Sequence, residues 1–309
     1  MKFALVFPGQ GSQAVGMMQP FTDSKAVREV FREASDALGQ DLWKLAAEGP
    51  AEELDSTVNT QPLMLTAGYA VYRAWRDAGG TEPTMMAGHS LGEYTALVAA
   101  GALAFRDALP LVRFRAQAMQ EAVPIGEGAM AAILGLEDDA VRAACGEAAQ
   151  GQRVEPVNFN APSQVVIAGH KSAVERAVAA AKAKGAKRAV MLPVSAPFHS
   201  SLLKPAGDRL ASYLGSIQLS APRIPVVNNV DVAMEKEPQR IKQALARQAS
   251  NPVRWVEVVR RIAEAGISHV AECGPGKVLA GLTRRIDRGL HGYAITDPQS
   301  LAEALQALK

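Results

Sequence analysis

Two rhythms of apolar and polar positions alternate along the chain. Short continuous apolar runs, such as 3–7 (FALVF) and 85–87, predict buried strands. Longer segments with apolar residues three and four apart predict amphipathic helices. In 23–38 these positions are Val27, Val30, Phe31, Ala34 and Leu38. The same pattern predicts helices over 42–47, 59–78, 93–100, 106–123, 202–214, 241–249, 253–265, 278–286 and 301–308, and strands over 224–227, 269–272 and 293–295. Asn59-Thr60-Gln61-Pro62 reads as the start of the 59–78 helix, with proline in the first turn. Such alternation predicts an α/β chain with a mostly parallel sheet covered on both faces.

The stretch 127–195 has a different order. It reads as strand 129–134, helix 138–149, strands 154–159 and 164–168, helix 172–184 and strand 188–194. That is βαββαβ, the order of a ferredoxin-like unit. A small subdomain at 127–195 is therefore expected to interrupt a discontinuous large one, 1–126 and 196–309. Lys182, Lys184, Lys187 and Arg188 form a basic cluster on the insert, read as a solvated helix end or a docking point for an acidic partner.

Between the 85–87 strand and the 93–100 helix stands Gly88-His89-Ser90-Leu91-Gly92, a G-x-S-x-G sequence. Strand, sharp turn and helix are the context of a nucleophile elbow, which lifts a serine Oγ at the apex of the turn. The adjoining helix start offers unpaired N–H groups and partial positive charge to an oxyanion. The plainer alternative is that Ser90 merely caps that helix. Pro8-Gly9-Gln10-Gly11-Ser12-Gln13 follows the first strand, where open α/β sheets place ligand contacts. Without a following Gly-Lys-Ser/Thr it is not a phosphate loop. It reads equally as a substrate-approaching loop or a tight connection.

Arg115 lies three or four residues from Leu111, Val112 and Met119, within the apolar stripe of its helix; Arg113 lies off it. An inward guanidinium is costly unless an anion meets it. A snorkelling side chain, a structural ion pair and a clamp for a ligand carboxylate or phosphate are the three readings. A serine nucleophile also needs a base. Of the five histidines, His89 adjoins Ser90 but points away at a sharp turn. His170 and His291 lie in turns, and His269 begins a strand. His199 follows the insert and comes after the serine in chain order. No acid stands out by spacing; Asp208 and Glu272 are candidates, and a dyad whose histidine donates to a carbonyl is equally allowed.

Composition narrows the classes. With 48% hydrophobic and 21% charged residues, the 309-residue chain can bury a large core. A net charge of +2 gives no footprint for nucleic acid or a membrane surface. Cys145 and Cys273 make no metal-binding or C-x-x-C pattern, so the reducing cytoplasm is expected. The longest nearly apolar stretch, 96–105, is too short to span a bilayer. No zinc or dinucleotide fingerprint is present.

Taken together, Phe7-Pro-Gly-Gln-Gly-Ser-Gln13, Gly88-His-Ser-Leu-Gly-Glu-Tyr94, Arg115, Asn158-Phe-Asn-Ala161, Ser195-Ala-Pro-Phe-His199 and Glu272-Cys-Gly-Pro-Gly276 resemble the malonyl-CoA:acyl carrier protein transacylases of bacterial fatty acid biosynthesis. The resemblance spans essentially the whole chain. It implies an α/β-hydrolase-like large subdomain carrying the ferredoxin-like insert. It implies that Ser90 is acylated, that His199 is its general base and later acid, and that the N–H groups of Gln10 and Leu91 form the oxyanion hole. It further implies that Arg115 binds the malonyl carboxylate, that Asn160 lies near the acyl site, and that the Gln248 carbonyl orients His199 in place of a triad acid. Phe198 stands where some members carry serine and resembles malonyl-selective acyltransferase domains. The implied partners are malonyl-CoA and acyl carrier protein; no cofactor is consumed. An esterase or thioesterase would use the same elbow, and a malonate decarboxylase transacylase subunit the same site with another carrier. A non-catalytic docking module is disfavoured by the joint presence of Ser90, His199 and Gln10.

Overall fold

A computed structural model describes residues 1–194 and 196–309. Ser195, the first residue of the Ser195-to-His199 motif and the last of the expected insert, lies outside the described residues. The strands are β1 (Phe3–Phe7), β2 (Met85–Gly88), β3 (Gly128–Leu134), β4 (Val154–Ala161), β5 (Gln164–His170), β6 (Arg188–Met191), β7 (Val226–Val227), β8 (His269–Cys273) and β9 (His291–Ile295). They form two sheets. The larger is parallel, in the order β7-β2-β1-β8-β9.

β1 shows why this sheet is covered on both sides. All five residues of FALVF are buried. Their side chains alternate between faces, as the pleat requires. Phe3, Leu5 and Phe7 enter one core, where Phe3 meets Trp75 and Phe7 meets Tyr72 at ring-centroid distances of 5.8 and 6.3 Å. Ala4 and Val6 enter a second core with Trp255, Val259, Leu279 and Leu282. Each buried phenylalanine contributes roughly 1.5–3 kcal/mol relative to exposure.

The smaller sheet is antiparallel, in the order β4-β5-β3-β6. Numbered within βαββαβ this is 2-3-1-4, the ferredoxin-like arrangement. One face packs on the Asp138–Ala149 and Lys171–Ala183 helices through Val141, Cys145, Val174 and Ala177. The other face joins the large core through Met130, Val166 and Ala168. β4 is also tied by backbone to the segment before the Trp255–Glu264 helix: Phe159 N–H donates to Val253 O at 3.0 Å and Val253 N–H to Val157 O at 2.8 Å. That pairing explains why the helix expected at 253–265 begins later, at Trp255–Glu264. Val253 is held extended against β4.

Other differences from the expected elements include these. The helix expected from residue 59 spans Thr57–Asp77, so Pro62 lies in its second turn rather than its first. The Ala51–Asp55 helix was not expected. The strand expected over 188–194 leaves the sheet after Met191, and Leu192, Pro193 and Val194 instead line a cavity.

Candidate active site

β1 and β2 are neighbours, with Phe7 opposite Gly88. The loops leaving their C-terminal ends therefore lie side by side. Ser90 follows β2 with φ 51° and ψ −108°. A non-glycine residue there is strained and is held by its surroundings. The turn is steep because two glycines allow close backbone approach. A Cβ on Gly88 would lie 1.9 Å from Gly92 C, and one on Gly92 would lie 2.0 Å from Phe7 O. Ser90 is indeed the N-cap residue of the Leu91–Ala99 helix, but its side chain makes no capping bond.

The Oγ is engaged elsewhere. It lies 2.7 Å from His199 Nε2. His199 Nδ1 lies 2.8 Å from the backbone O of Gln248. Nδ1–H can only donate to that carbonyl, so Nε2 is the bare nitrogen that accepts from Ser90. Burial, and then the Arg115 cation, hold the imidazole well below its ordinary range, at about 3. The ring is thus a neutral acceptor at physiological pH. Neither candidate acid takes part. Asp208 is exposed and pairs with Lys204 at 2.7 Å, and Glu272 is buried and accepts from Ala280 N–H at 2.9 Å.

Arg115, on the Phe105–Glu121 helix, is only 1% exposed. Among the described residues it makes no ion pair. Its Nη1 donates to Gln61 Oε1 at 2.7 Å, and its Nη2 to Gln248 Oε1 at 2.9 Å and Ser90 Oγ at 3.1 Å. The Tyr94 ring lies beneath it, 5.3 Å from the guanidinium carbon. Nε–H has no partner among the described residues. The Nη1 donor not given to Gln61 is likewise unpartnered among the described residues, and Arg115 lines the cavity beside Ser90.

Leu91 occupies the first helical position, where N–H groups lack an intrahelical acceptor. Gln10 follows β1, and its side chain is drawn aside to Thr57 Oγ1 at 3.1 Å. Neither N–H has an acceptor among the described residues. Asn160, on β4, presents Oδ1 to His89 Nε2 at 2.8 Å. His89 is half-buried and committed to that bond, and desolvation lowers its pKa.

One cavity of about 640 Å³ is lined by Gln10, Ser90, Leu91, Arg115, Asn160, Phe198 and His199. Met119, Met130, Val166, Leu192 and Leu279 make much of its wall apolar. Gln248 stands behind it, fully buried. Three residues of the network escaped the sequence reading: Gln61, Glu93 and Asn229. Asn229 Oδ1 accepts from Ser90 N–H at 2.7 Å, and Glu93 Oε2 accepts from Asn229 N–H at 2.9 Å and Gln248 Nε2 at 2.8 Å. Glu93 carried a usable signal, the one charged side chain of its helix; Gln61, beside Asn59 and Thr60 in the polar start of its helix, carried little. Asn229 carried none.

Among the described residues no helix is long and apolar enough to cross a membrane, and no three His, Cys, Asp or Glu side chains group so as to hold a metal ion. Residues 4–297 match the model of the acyl transferase domain family. The chain is 58% identical over 306 residues to the malonyl CoA-acyl carrier protein transacylase of Escherichia coli strain K12, covering 99% of each. It is 44% identical to the Bacillus subtilis protein of the same name, over 100% of this chain and 98% of that one. An acyl-carrier-protein S-malonyltransferase crystal structure from Burkholderia pseudomallei superposes with a TM-score of 0.98 at 68% identity, over 99% and 100% of the two chains. A malonyl-transacylase in complex with a type II polyketide acyl-carrier protein superposes equally well, TM-score 0.98 at 54% identity, over 99% and 100%.

Proposed function

The chain belongs to the acyl transferase domain family, and from that premise we propose that it moves a malonyl group from malonyl-CoA to the phosphopantetheine thiol of acyl carrier protein, supplying fatty acid biosynthesis. The observation that carries this reading is the Arg115 guanidinium. It is buried, free of any carboxylate among the described residues, and 3.1 Å from the Ser90 hydroxyl. A desolvated cation beside an acylatable serine suits an acyl group with a carboxylate at its far end.

Ser90 Oγ attacks the thioester carbonyl as its proton passes to His199 Nε2. The oxygen of the tetrahedral intermediate is held by the N–H groups of Gln10 and Leu91. Collapse breaks the C–S bond, and CoA leaves as a thiol with the proton from His199. In the second half the carrier thiol gives its proton to His199 and attacks malonyl-Ser90. Ser90 leaves with that proton restored. The Gln248 carbonyl keeps Nδ1–H fixed, so Nε2 faces the reaction in both halves. Asn160 and Phe198 bound the acyl pocket.

We further place the large subdomain at 1–126 and 196–309 and the small one at 127–195, and the protein in the cytoplasm, a reading supported by its two buried free cysteines.

Mass spectrometry of the protein mixed with malonyl-CoA, with and without holo acyl carrier protein, tests the reaction. A malonyl mass on the peptide holding Ser90 is expected, persisting in water and discharged onto the carrier. Ser90→Ala should show no adduct. Rapid loss of the adduct to water without a carrier would make the protein a hydrolase instead.

A further inference from the structure

Glu93 is the one charged residue of the Leu91–Ala99 helix, LGEYTALVA, and it is 2% exposed. A buried carboxylate is costly unless its oxygens are met. No cation touches it among the described residues. Its Oε2 instead accepts from Asn229 N–H at 2.9 Å and Gln248 Nε2 at 2.8 Å. Both donors belong to residues that hold the reacting groups. Asn229 bonds Ser90 N–H at 2.7 Å and Gly88 O at 2.8 Å. Gln248 bonds Ser90 O through Nε2 at 3.0 Å, Arg115 Nη2 through Oε1 at 2.9 Å, and His199 Nδ1 through its backbone O at 2.8 Å.

A carboxamide can be turned end for end, and here only one direction works. With NH2 toward the Glu93 carboxylate, the Gln248 oxygen faces the guanidinium. Reversed, it would set an acceptor against a carboxylate and N–H groups against a cation. The spacing also matters. A carboxylate in direct contact with Arg115 would occupy the donors that a substrate carboxylate needs. One amide away, Glu93, ionised above about pH 7, offsets the buried cation by Coulomb attraction and leaves those donors open.

We propose that Glu93 is a positioning residue for acyl selectivity, acting through Gln248 to orient the Arg115 guanidinium while keeping its free donors available to the acyl carboxylate. This rests on the reading of Arg115 as the malonyl anchor.

The test measures kcat and KM for malonyl-CoA and acetyl-CoA with holo acyl carrier protein on the full chain, comparing wild type with Glu93→Gln, which keeps the side chain's size and one acceptor. The ratio of kcat/KM for malonyl over acetyl is expected to fall about tenfold, chiefly through KM for malonyl-CoA. Acetyl transfer also draws on the Ser90 and His199 geometry held by Asn229 and Gln248 but not on the anchor, so it should fall less than malonyl transfer, and the ratio rather than either rate is the readout. An unchanged ratio in a folded variant overturns the proposal. Should Glu93→Gln not fold, Glu93→Asp decides: it keeps the charge but withdraws the oxygen by one methylene, and the ratio should fall again. If neither variant folds, the residue is structural and the proposal is overturned. Arg115→Ala separates the two readings. If it leaves the ratio intact, the anchor reading has failed; if it collapses the ratio and Glu93→Gln does not, only the role of Glu93 has failed.

Discussion

Arg115 occupies a helical position that the surrounding repeat of Leu111, Val112 and Met119 would give to an apolar residue. Its contacts remove two of the three readings left open by the sequence. It does not snorkel, being 1% exposed, and it pairs with no carboxylate among the described residues. Two glutamine oxygens and the Ser90 hydroxyl hold it in place. Truncating one partner of a buried charge pair typically costs about 2–5 kcal/mol. Arg115→Ala is therefore expected to lower kcat/KM for malonyl-CoA by roughly a hundredfold or more. Acetyl-CoA, with no carboxylate to lose, should be spared or favoured. Steady-state kinetics with both thioesters decides, and retained malonyl preference would remove Arg115 from the anchor role. Ser90, His199 and Arg115 were legible because each breaks a local pattern: a serine between glycines, a histidine in a loop, a cation in an apolar stripe. Asn229 breaks none. Its importance arises only when the end of β7 is laid beside β2, a contact between residues 139 positions apart.

At the scale of elements, the elbow is a packing problem solved by missing side chains. The Leu91–Ala99 helix starts where β1 and β2 end, and Gly92 rests on the carbonyl of Phe7. Gly92→Ala would place a methyl 2.0 Å from that oxygen. Backbone cannot yield as a flexible side-chain tip can, so the helix start has to move outward. That displaces the Leu91 N–H and twists Ser90. A misplaced oxyanion donor costs roughly 3–4 kcal/mol in the barrier. The expected result is a loss of kcat of about a hundredfold or more, with a lowered melting temperature. A Gly92→Ala variant of normal activity would show that the helix start has slack. Helices and strands with clean periodicity, such as Val278–Ile286 and Asp138–Ala149, matched their expected bounds. Misplaced ends had tertiary causes. Val253 was drawn out of a helix by pairing with Val157 and Phe159, and residues 192–194 were drawn off a strand to line the cavity. Neither contact has a local signature.

At the scale of the whole molecule, the buried charges make a prediction about pH. Burial raises Glu93 and Glu272 from 4.5 to about 7. Between those values the folded chain holds protons that the unfolded chain has released. Their contribution to stability therefore grows as pH falls from about 7 to 4.5. Burial works the other way on His89 and His199, lowering both below 6.5 and His199 to about 3. Below 6.5 the unfolded chain takes up protons that these two rings refuse, so their contribution shrinks as pH falls. From 6.5 to 4.5 the two glutamates oppose the histidines, His269 among them, so the loss of stability there should be blunted. Below 4.5 the glutamates are protonated in both states and give no further gain. His199 continues to draw stability down. So do Asp231 and Glu257, held low by Arg247 and Arg254, and Asp297, held low by the Ser300 N–H. Urea unfolding across this range should show a shallow loss and then a steeper acid loss. Glu272→Gln deletes one of the opposing protons, so between pH 4.5 and 7 its stability relative to wild type should rise with pH by about 1.4 kcal/mol per unit. A variant whose stability runs parallel to wild type across this range would mean that Glu272 ionises normally, and that the interior behind β8 is wetter than its packing indicates.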